Sequence, residues 1–163
     1  MGLYPLAQSG FMEEILIDLT RDENPGVLAD ICQDLALAGV NILNVAATVC
    51  LRDQTGEELH GAAIAIITDD TQAAFDVLFY DGMEGDRPSR RPFECMAVRQ
   101  VRTATIPNQR GSLADLARKI SDEGHNITSM YVLTLWPVRS GQDVEIGFTT
   151  DSDGDITGNY KNQ

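Results

Sequence analysis

The chain has 163 residues, 43% of them hydrophobic, which is enough for one ordinary domain or two small ones with a buried core and excludes a compositionally disordered chain. Twenty-five acidic residues against twelve basic ones leave a formal net charge of −13, which disfavours nucleic acid and anionic membrane surfaces as partners. Three widely spaced cysteines (Cys32, Cys50, Cys95) and two histidines (His60, His125) supply neither a disulfide framework nor metal-ligand spacing, so no metal and no cofactor is expected. Each cysteine reads as a small apolar residue in a reducing compartment. No apolar run approaches the roughly 18 residues of a membrane span. The opening Met1-Gly2-Leu3-Tyr4-Pro5 carries no basic n-region, so a cytoplasmic protein is expected.

In chain order, residues 14–20 read as a strand. A helix follows from Pro25-Gly26, where proline suits the first turn. Its apolar stripe of Leu28, Ile31, Cys32 and Leu35 has the i, i+3, i+4, i+7 spacing of one buried face, and Gly39 stops it. Strands at 41–49 and 62–67 are joined by the polar, glycine-bearing stretch 52–57. A second helix fits 70–79, with Ala73, Ala74, Val77 and Leu78 inward and Asp70 or Thr71 as its cap. Residues 81–91, rich in Gly, Asp, Pro and Arg, read as a linker. Then come a strand at 98–106, a helix striped by Leu113, Leu116, Ala117 and Ile120 and stopped by Gly124, and strands at 127–136 and 144–149 around a turn at 137–142. The polar tail 151–163 is expected to fray. Its Asp151-Ser152-Asp153-Gly154-Asp155 start departs from the EF-hand pattern, with glycine fourth rather than sixth.

The two halves repeat. Gly26-Val27-Leu28-Ala29-Asp30 aligns on Gly111-Ser112-Leu113-Ala114-Asp115, an offset of 85 residues. The same offset sets Leu35 on Ile120, Gly39 on Gly124, Asn41 on Asn126 and Ile42 on Ile127 without a gap. The first strands do not follow it, since Ile15 would meet Gln100 and Ile17 would meet Arg102. A bulge, a register difference or a strand covered on its outer face in one copy only would account for this.

The pattern of strand, loop, Pro25-Gly26-Val27-Leu28, helix, Gly39-Val40-Asn41-Ile42 and strand resembles the ACT domain family. Asn108-Gln109-Arg110-Gly111-Ser112-Leu113 followed by Gly124-His125-Asn126-Ile127 is a looser second copy. The resemblance spans roughly 12–80 and 97–151. It implies an α+β fold of two ferredoxin-like βαββαβ (ACT-like) modules, with antiparallel sheets and helices on one face. Module 1 with its linker is expected over 12–92, and module 2 with its polar tail over 93–163. The second stops after its third strand and looks truncated, and the strand after the linker is claimed both as the last of module 1 and the first of module 2. That points to shared or exchanged strands, and to a sheet edge in need of a partner.

The resemblance also implies an amino acid or related small metabolite bound between modules or at a dimer interface. The loop before the first helix would line that site, where a glycine admits backbone N–H groups and a helix N-terminus favours a carboxylate. Carried over residue by residue, the ligand-binding candidates are Glu23, Asn24, Gly26, Val27, Leu28 and Asn41 in the first copy. In the second they are Asn108, Gly111, Ser112, Leu113 and Asn126. Gly26 and Gly111 can equally serve turn geometry alone, and Asn41 and Asn126 can equally pin the turn after the helix. Serine-sensing members place Asn two before the proline; that place holds Glu23 here and Asn108 in the second copy, where Arg110 replaces the proline. The two sites are therefore expected to differ, with the second favoured.

No nucleophile elbow, phosphate-binding glycine loop or HExxH occurs, so no enzyme is expected. The expectation is a homodimeric or larger regulatory protein of amino-acid metabolism. The alternative is a regulatory subunit acting by contact on a partner enzyme, a layout comparable to the small subunit of acetohydroxyacid synthase.

Overall fold

The computed structural model of the chain describes residues 12–19, 26–48, 51–52, 55, 58–60, 62–80, 93, 96–134, 141–156 and 160–161. The elements are β1 (Met12–Asp18), α1 (Val27–Leu37), β2 (Ile42–Thr48), β3 (Leu51–Arg52), β4 (Glu58–His60), β5 (Ala63–Thr68), α2 (Thr71–Tyr80), β6 (Met96–Pro107), α3 (Ser112–Asp122), β7 (Ile127–Val132) and β8 (Asp143–Thr150). β3 and β4 form a small hairpin, and the other six strands form one antiparallel sheet in the order β2-β5-β1-β6-β8-β7. The fold is α+β, as the sequence implies.

The first half is a complete βαββαβ module, β1-α1-β2-β5-α2-β6. Alternation in its strands sends Ile15, Ile17 and Leu19 to one face with Ile64, Ile66 and Val98. Onto that face α1 lays Ile31 and Leu35, fully buried, with Leu28 packed at the margin. The Asp70 carboxylate caps α2, accepting the Ala73 N–H at 2.9 Å. The buried face of α2 is Ala74, Phe75 and Leu78, while Ala73 and Val77 lie half-buried beside it. The expected stripe was thus rotated and left out Phe75, whose ring lies 5.1 Å from that of Phe79.

Both helix–glycine junctions close in the same way. Gly39 (φ 78°) and Gly124 (φ 85°) take the left-handed conformation that ends a helix. The next N–H then turns back, Val40 onto the Leu35 carbonyl at 2.9 Å and His125 onto the Ile120 carbonyl at 3.3 Å. The strands that follow share a register shift, between Ile42 and Asn44 in β2 and between Ile127 and Ser129 in β7, positions related by the same 85-residue offset.

The repeat is unequal at β6. This twelve-residue strand pairs over 96–101 with β1 and over 102–107 with β8. It is the last strand of the first half and then the first strand of the second, so the competing claims on it are met by length and the strand is shared. Neither pairing contains a register shift, so a bulge does not explain the mismatch of the first strands. Loop length does: seven residues, 19–25, separate Asp18 from Gly26, and three, 108–110, separate Pro107 from Gly111.

The second half is β6-α3-β7-β8, and among the described residues no helix or strand follows β8. It folds across the sheet face that α1 and α2 leave open, where Tyr131 packs on Ala65, Ile67 and Val101. Its helix is less well covered than expected. Ile120 is buried, Leu116 and Ala117 are half-buried, and Leu113 remains 50% exposed.

The tail also departs from expectation. Instead of fraying, Ile156 and Tyr160 pack against the first half's core. The expected linker 81–91, Cys50 and Cys95 lie outside the described residues. Cys32 is half-buried. Among the described residues no helix is long and apolar enough to cross a membrane.

Candidate functional site

The second-copy loop is described throughout. After Pro107 the chain turns, with the Gln109 N–H on the Pro107 carbonyl at 2.9 Å. Two backbone bonds tie the loop to the β7–β8 connection: the Asn108 N–H donates to the Gln142 carbonyl at 2.7 Å, and the Gly141 N–H donates to the Asn108 carbonyl at 3.2 Å. Gly111 then enters α3 at φ 95° with no side-chain cap on the helix. A Cβ added at Gly111 would meet nothing within 4 Å, so the backbone conformation, and not crowding, calls for glycine.

Ser112 follows, 7% exposed, its hydroxyl buried without a hydrogen-bond partner. The first-turn N–H groups of an α-helix have no intrahelical acceptor and carry the positive end of its dipole. The Ser112 N–H donates to the Gln109 carbonyl at 3.4 Å, so the start of α3 brings together open space at Gly111, the first-turn amides of Leu113 and Ala114, and a hydroxyl with no partner. Such a set suits a small anion or a carboxylate.

The first copy is used differently. Gly26 has φ 99° and the same open surroundings, but Val27 and Leu28 pack against the core. Glu23 and Asn24 lie outside the described residues.

Asn41 and Asn126 stand at the other ends of their helices. For the eleven residues of α3 that separation is about 16 Å. Asn41 and Asp69 exchange two bonds, the Asn41 N–H to Asp69 Oδ1 at 2.8 Å and the Asp69 N–H to the Asn41 carbonyl at 3.1 Å. Asn126 and Asp151 do the same at 3.0 Å each, and the Asn126 side-chain amide adds a third bond to Asp151 Oδ2 at 2.8 Å. The Asn126 backbone and side-chain donors hold the Asp151 carboxyl below the ordinary carboxylate range. Both asparagines pin the helix-to-strand turn, and within one chain neither joins the loop residues at the helix start.

Asp153 is spent nearby. Burial alone would raise its pKa, but the Thr150 N–H and hydroxyl, with Arg102, hold it low. Arg102 Nε lies 2.8 Å from Asp153 Oδ1. The two carboxylates that open the calcium-like stretch thus face the chain's own donors.

One polar cluster went unread in the sequence. Glu14 on β1 is fully buried where the two halves meet. Its carboxylate accepts from the hydroxyls of Ser129 at 2.7 Å, Tyr131, and Thr149 at 3.1 Å. Burial first, and the Glu14 contact second, push the Tyr131 phenol above its usual range. Glu14 shares the even-numbered face of β1 with Leu16 and points away from the helices, but nothing local marks it as buried, because its partners lie on β7 and β8.

No family model matches the sequence, and no curated protein matches it. Solved structures do resemble it. Protein BT0572 from Bacteroides thetaiotaomicron is 17% identical with a TM-score of 0.55, covering 86% of this chain and 78% of its own. The regulatory subunit of aspartate kinase from Thermus flavus is 16% identical with a TM-score of 0.54, covering 85% and 82%. The ligand-free form of that subunit from Thermus thermophilus is 16% identical with a TM-score of 0.50, covering 87% and 85%. At such identities the likeness is one of fold alone: the chain shares its α+β arrangement with these structures.

Proposed function

We propose that the chain is a non-enzymatic sensor of amino-acid metabolism, which takes an amino acid or similar carboxylate metabolite at the start of α3 and regulates by changing how modules pack. The observation that carries this reading is the buried, unpartnered hydroxyl of Ser112 beside the open turn at Gly111. A carboxylate there would accept from the Leu113 and Ala114 amides, and from the Ser112 hydroxyl once that side chain turns outward to meet it. The likeness to a regulatory subunit of aspartate kinase supports the regulatory part of the reading through the fold. The second copy is the favoured site, because Val27 and Leu28 of the first serve its core. The ligand would lie between modules or at a homodimer interface in a cytoplasmic protein.

Titration calorimetry and melting curves with a panel of common amino acids test this. A binding partner should raise the melting temperature with concentration, and Ser112→Ala should weaken it at least several-fold. Absence of heat and of any melting shift across the panel would remove the ligand reading. The second reading, regulation by contact with a partner enzyme, draws on exposed aliphatic side chains of the outermost strands, Leu43 and Val45 on β2 and Val132 on β7. Recovery of a stoichiometric enzyme on the tagged chain, lost on Val45→Asp, would favour it.

A further inference from the structure

The first sheet and the β7–β8 layer folded across it are tied by one carboxylate. Glu14 lies on β1, and the hydroxyls that donate to it belong to Ser129 and Tyr131 on β7 and Thr149 on β8. Glu14 and Thr149 are fully buried, and Tyr131 is buried beside them. Among the described residues the carboxylate has hydroxyl partners only. Arg99, opposite it on β6, is half-buried and makes no ion pair with it. A buried charge with no cation beside it is costly to keep, and an apolar side chain of like volume commonly serves such a place as well or better.

Three features make this joint separable. Its apolar part is small: among the described residues Ala65, Ile67, Val101 and Tyr131 are its buried members, against fifteen in the core under α1 and α2. Its hydroxyls also have a second arrangement in hand. Thr149 Oγ1 is within hydrogen-bond reach of Ser129 Oγ, and of Thr128 Oγ1 at 2.7 Å, so Ser129 and Thr149 keep partners when Glu14 leaves. Finally, a hinge is present. β6 passes from β1 to β8 between Val101 and Arg102, and there one continuous backbone joins the two layers. At the far edge the Asn44 side-chain amide only just reaches the Val132 carbonyl, at 3.5 Å.

We propose that Glu14 with Ser129, Tyr131 and Thr149 is a releasable latch between the layers. With the latch open, the β7–β8 layer swings from the first sheet about the Val101–Arg102 step of β6, Glu14 meets water, and the core under α1 and α2 stays closed. A joint with few buried apolar side chains opens at a lower free energy than the main core. Two discrete arrangements of one joint are also what a ligand must bias if it is to change packing. The inference deepens the proposed regulation and rests on that reading for its use. The latch itself takes no residue from the start of α3, so either can fail without the other.

The test uses Ile66→Cys and Ile67→Cys in the full chain. These neighbours on β5 are almost wholly buried, Ile66 in the core under α1 and α2 and Ile67 in the joint. Alkylation by iodoacetamide is followed at each position by peptide mass, which separates it from Cys32, Cys50 and Cys95. The thiol at position 67 should react about tenfold faster than the one at position 66. Thr149→Val keeps the shape and removes one donor from the carboxylate. It should speed labelling at position 67 by about another tenfold and leave position 66 unchanged. Equal rates at the two positions overturn the proposal, because the joint would then open only with the whole molecule. A rate at position 67 that Thr149→Val does not change also overturns it, as does one that rises equally at both positions. Should Thr149→Val fail to fold, Ser129→Ala takes its place with the same expected and overturning results. No amino acid enters the test, so a chain that binds none can still pass it.

Discussion

The complete first half and the three-stranded second half start from nearly the same helix and turn, yet they solve the packing problem differently. In the first, α1 and α2 together bury Ile31, Leu35, Phe75 and Leu78 on one sheet face. In the second, α3 works alone, and Leu113, the counterpart of Leu28, stays half in solvent. The second half compensates with its other face, setting Tyr131 and Thr149 against Glu14, Ala65 and Ile67 of the first. A duplicated sequence therefore need not give two equal domains. Here the first half buries a core between its own sheet and helices, and the second draws on it for a strand and for the floor of its packing. That dependence also leaves α3 less covered at its start, where Leu113 is half exposed, a region better suited to local adjustment than the dense first core.

The largest expected effect tests the asymmetry directly. Phe75→Ala should cost about 3–5 kcal/mol, as a fully buried ring removed from a packed core, while Leu113→Ala should cost about 1 kcal/mol or less. Urea midpoints of the two variants would measure this, and equal costs would break the comparison. Next comes the junction between halves. Tyr131→Phe removes one donor to the buried Glu14 carboxylate and should cost about 1–3 kcal/mol. Its pH dependence has a definite sign. The folded-state phenol is raised above the unfolded value of about 10, so its contribution is complete below that pH and is lost as the pH climbs past it. Midpoints taken at neutral and strongly alkaline pH should show a shallower alkaline loss in Tyr131→Phe than in the parent. Some loss should persist, because Tyr160 is raised too, by burial and by Glu13. The smallest effect asks where the copies are still alike. Gly26→Ala and Gly111→Ala should each cost about 1–2 kcal/mol in thermal melts, from left-handed strain at φ 99° and 95° with no clash. Similar values would show that the repeat survives at the helix start, and a large difference would confine it to the sequence.

What was legible in the sequence was local. The Leu28–Ile31–Leu35 stripe, the glycines that end α1 and α3, and the repeat itself follow from spacing within a few turns of chain. The rotated face of α2 was within reach, since Thr71, Ala74, Phe75 and Leu78 hold the same i, i+3, i+4, i+7 spacing. The buried Glu14 was not, because a carboxylate is ordinarily solvated and its hydroxyl partners lie 115 to 135 residues away. Likewise the strand at 98–106 and the double claim on it could be seen, but not that its length divides it between β1 over 96–101 and β8 over 102–107, as pairing is a long-range property. At the candidate site, Gly111 and Ser112 were legible as a helix start, and the ties from Asn108 to Gly141 and Gln142 were not. The tail was misjudged on composition, since two anchors, Ile156 and Tyr160, outweigh its polar remainder.

The shared strand has a consequence for synthesis. Chains emerge from the N-terminus and commonly fold domain by domain as they do so. A nascent chain halted before Met96 holds β1, β2, β5 and both helices of the first half but lacks the fourth strand of that sheet. Once Pro107 is out, the first half can close, and the same stroke lays down the template on which β8 will pair. The order of assembly is thereby written into one continuous rod about 40 Å long. The first core can set before β8 has a strand to pair with, and the anchors Ile156 and Tyr160 reach that core only after β8 has been made.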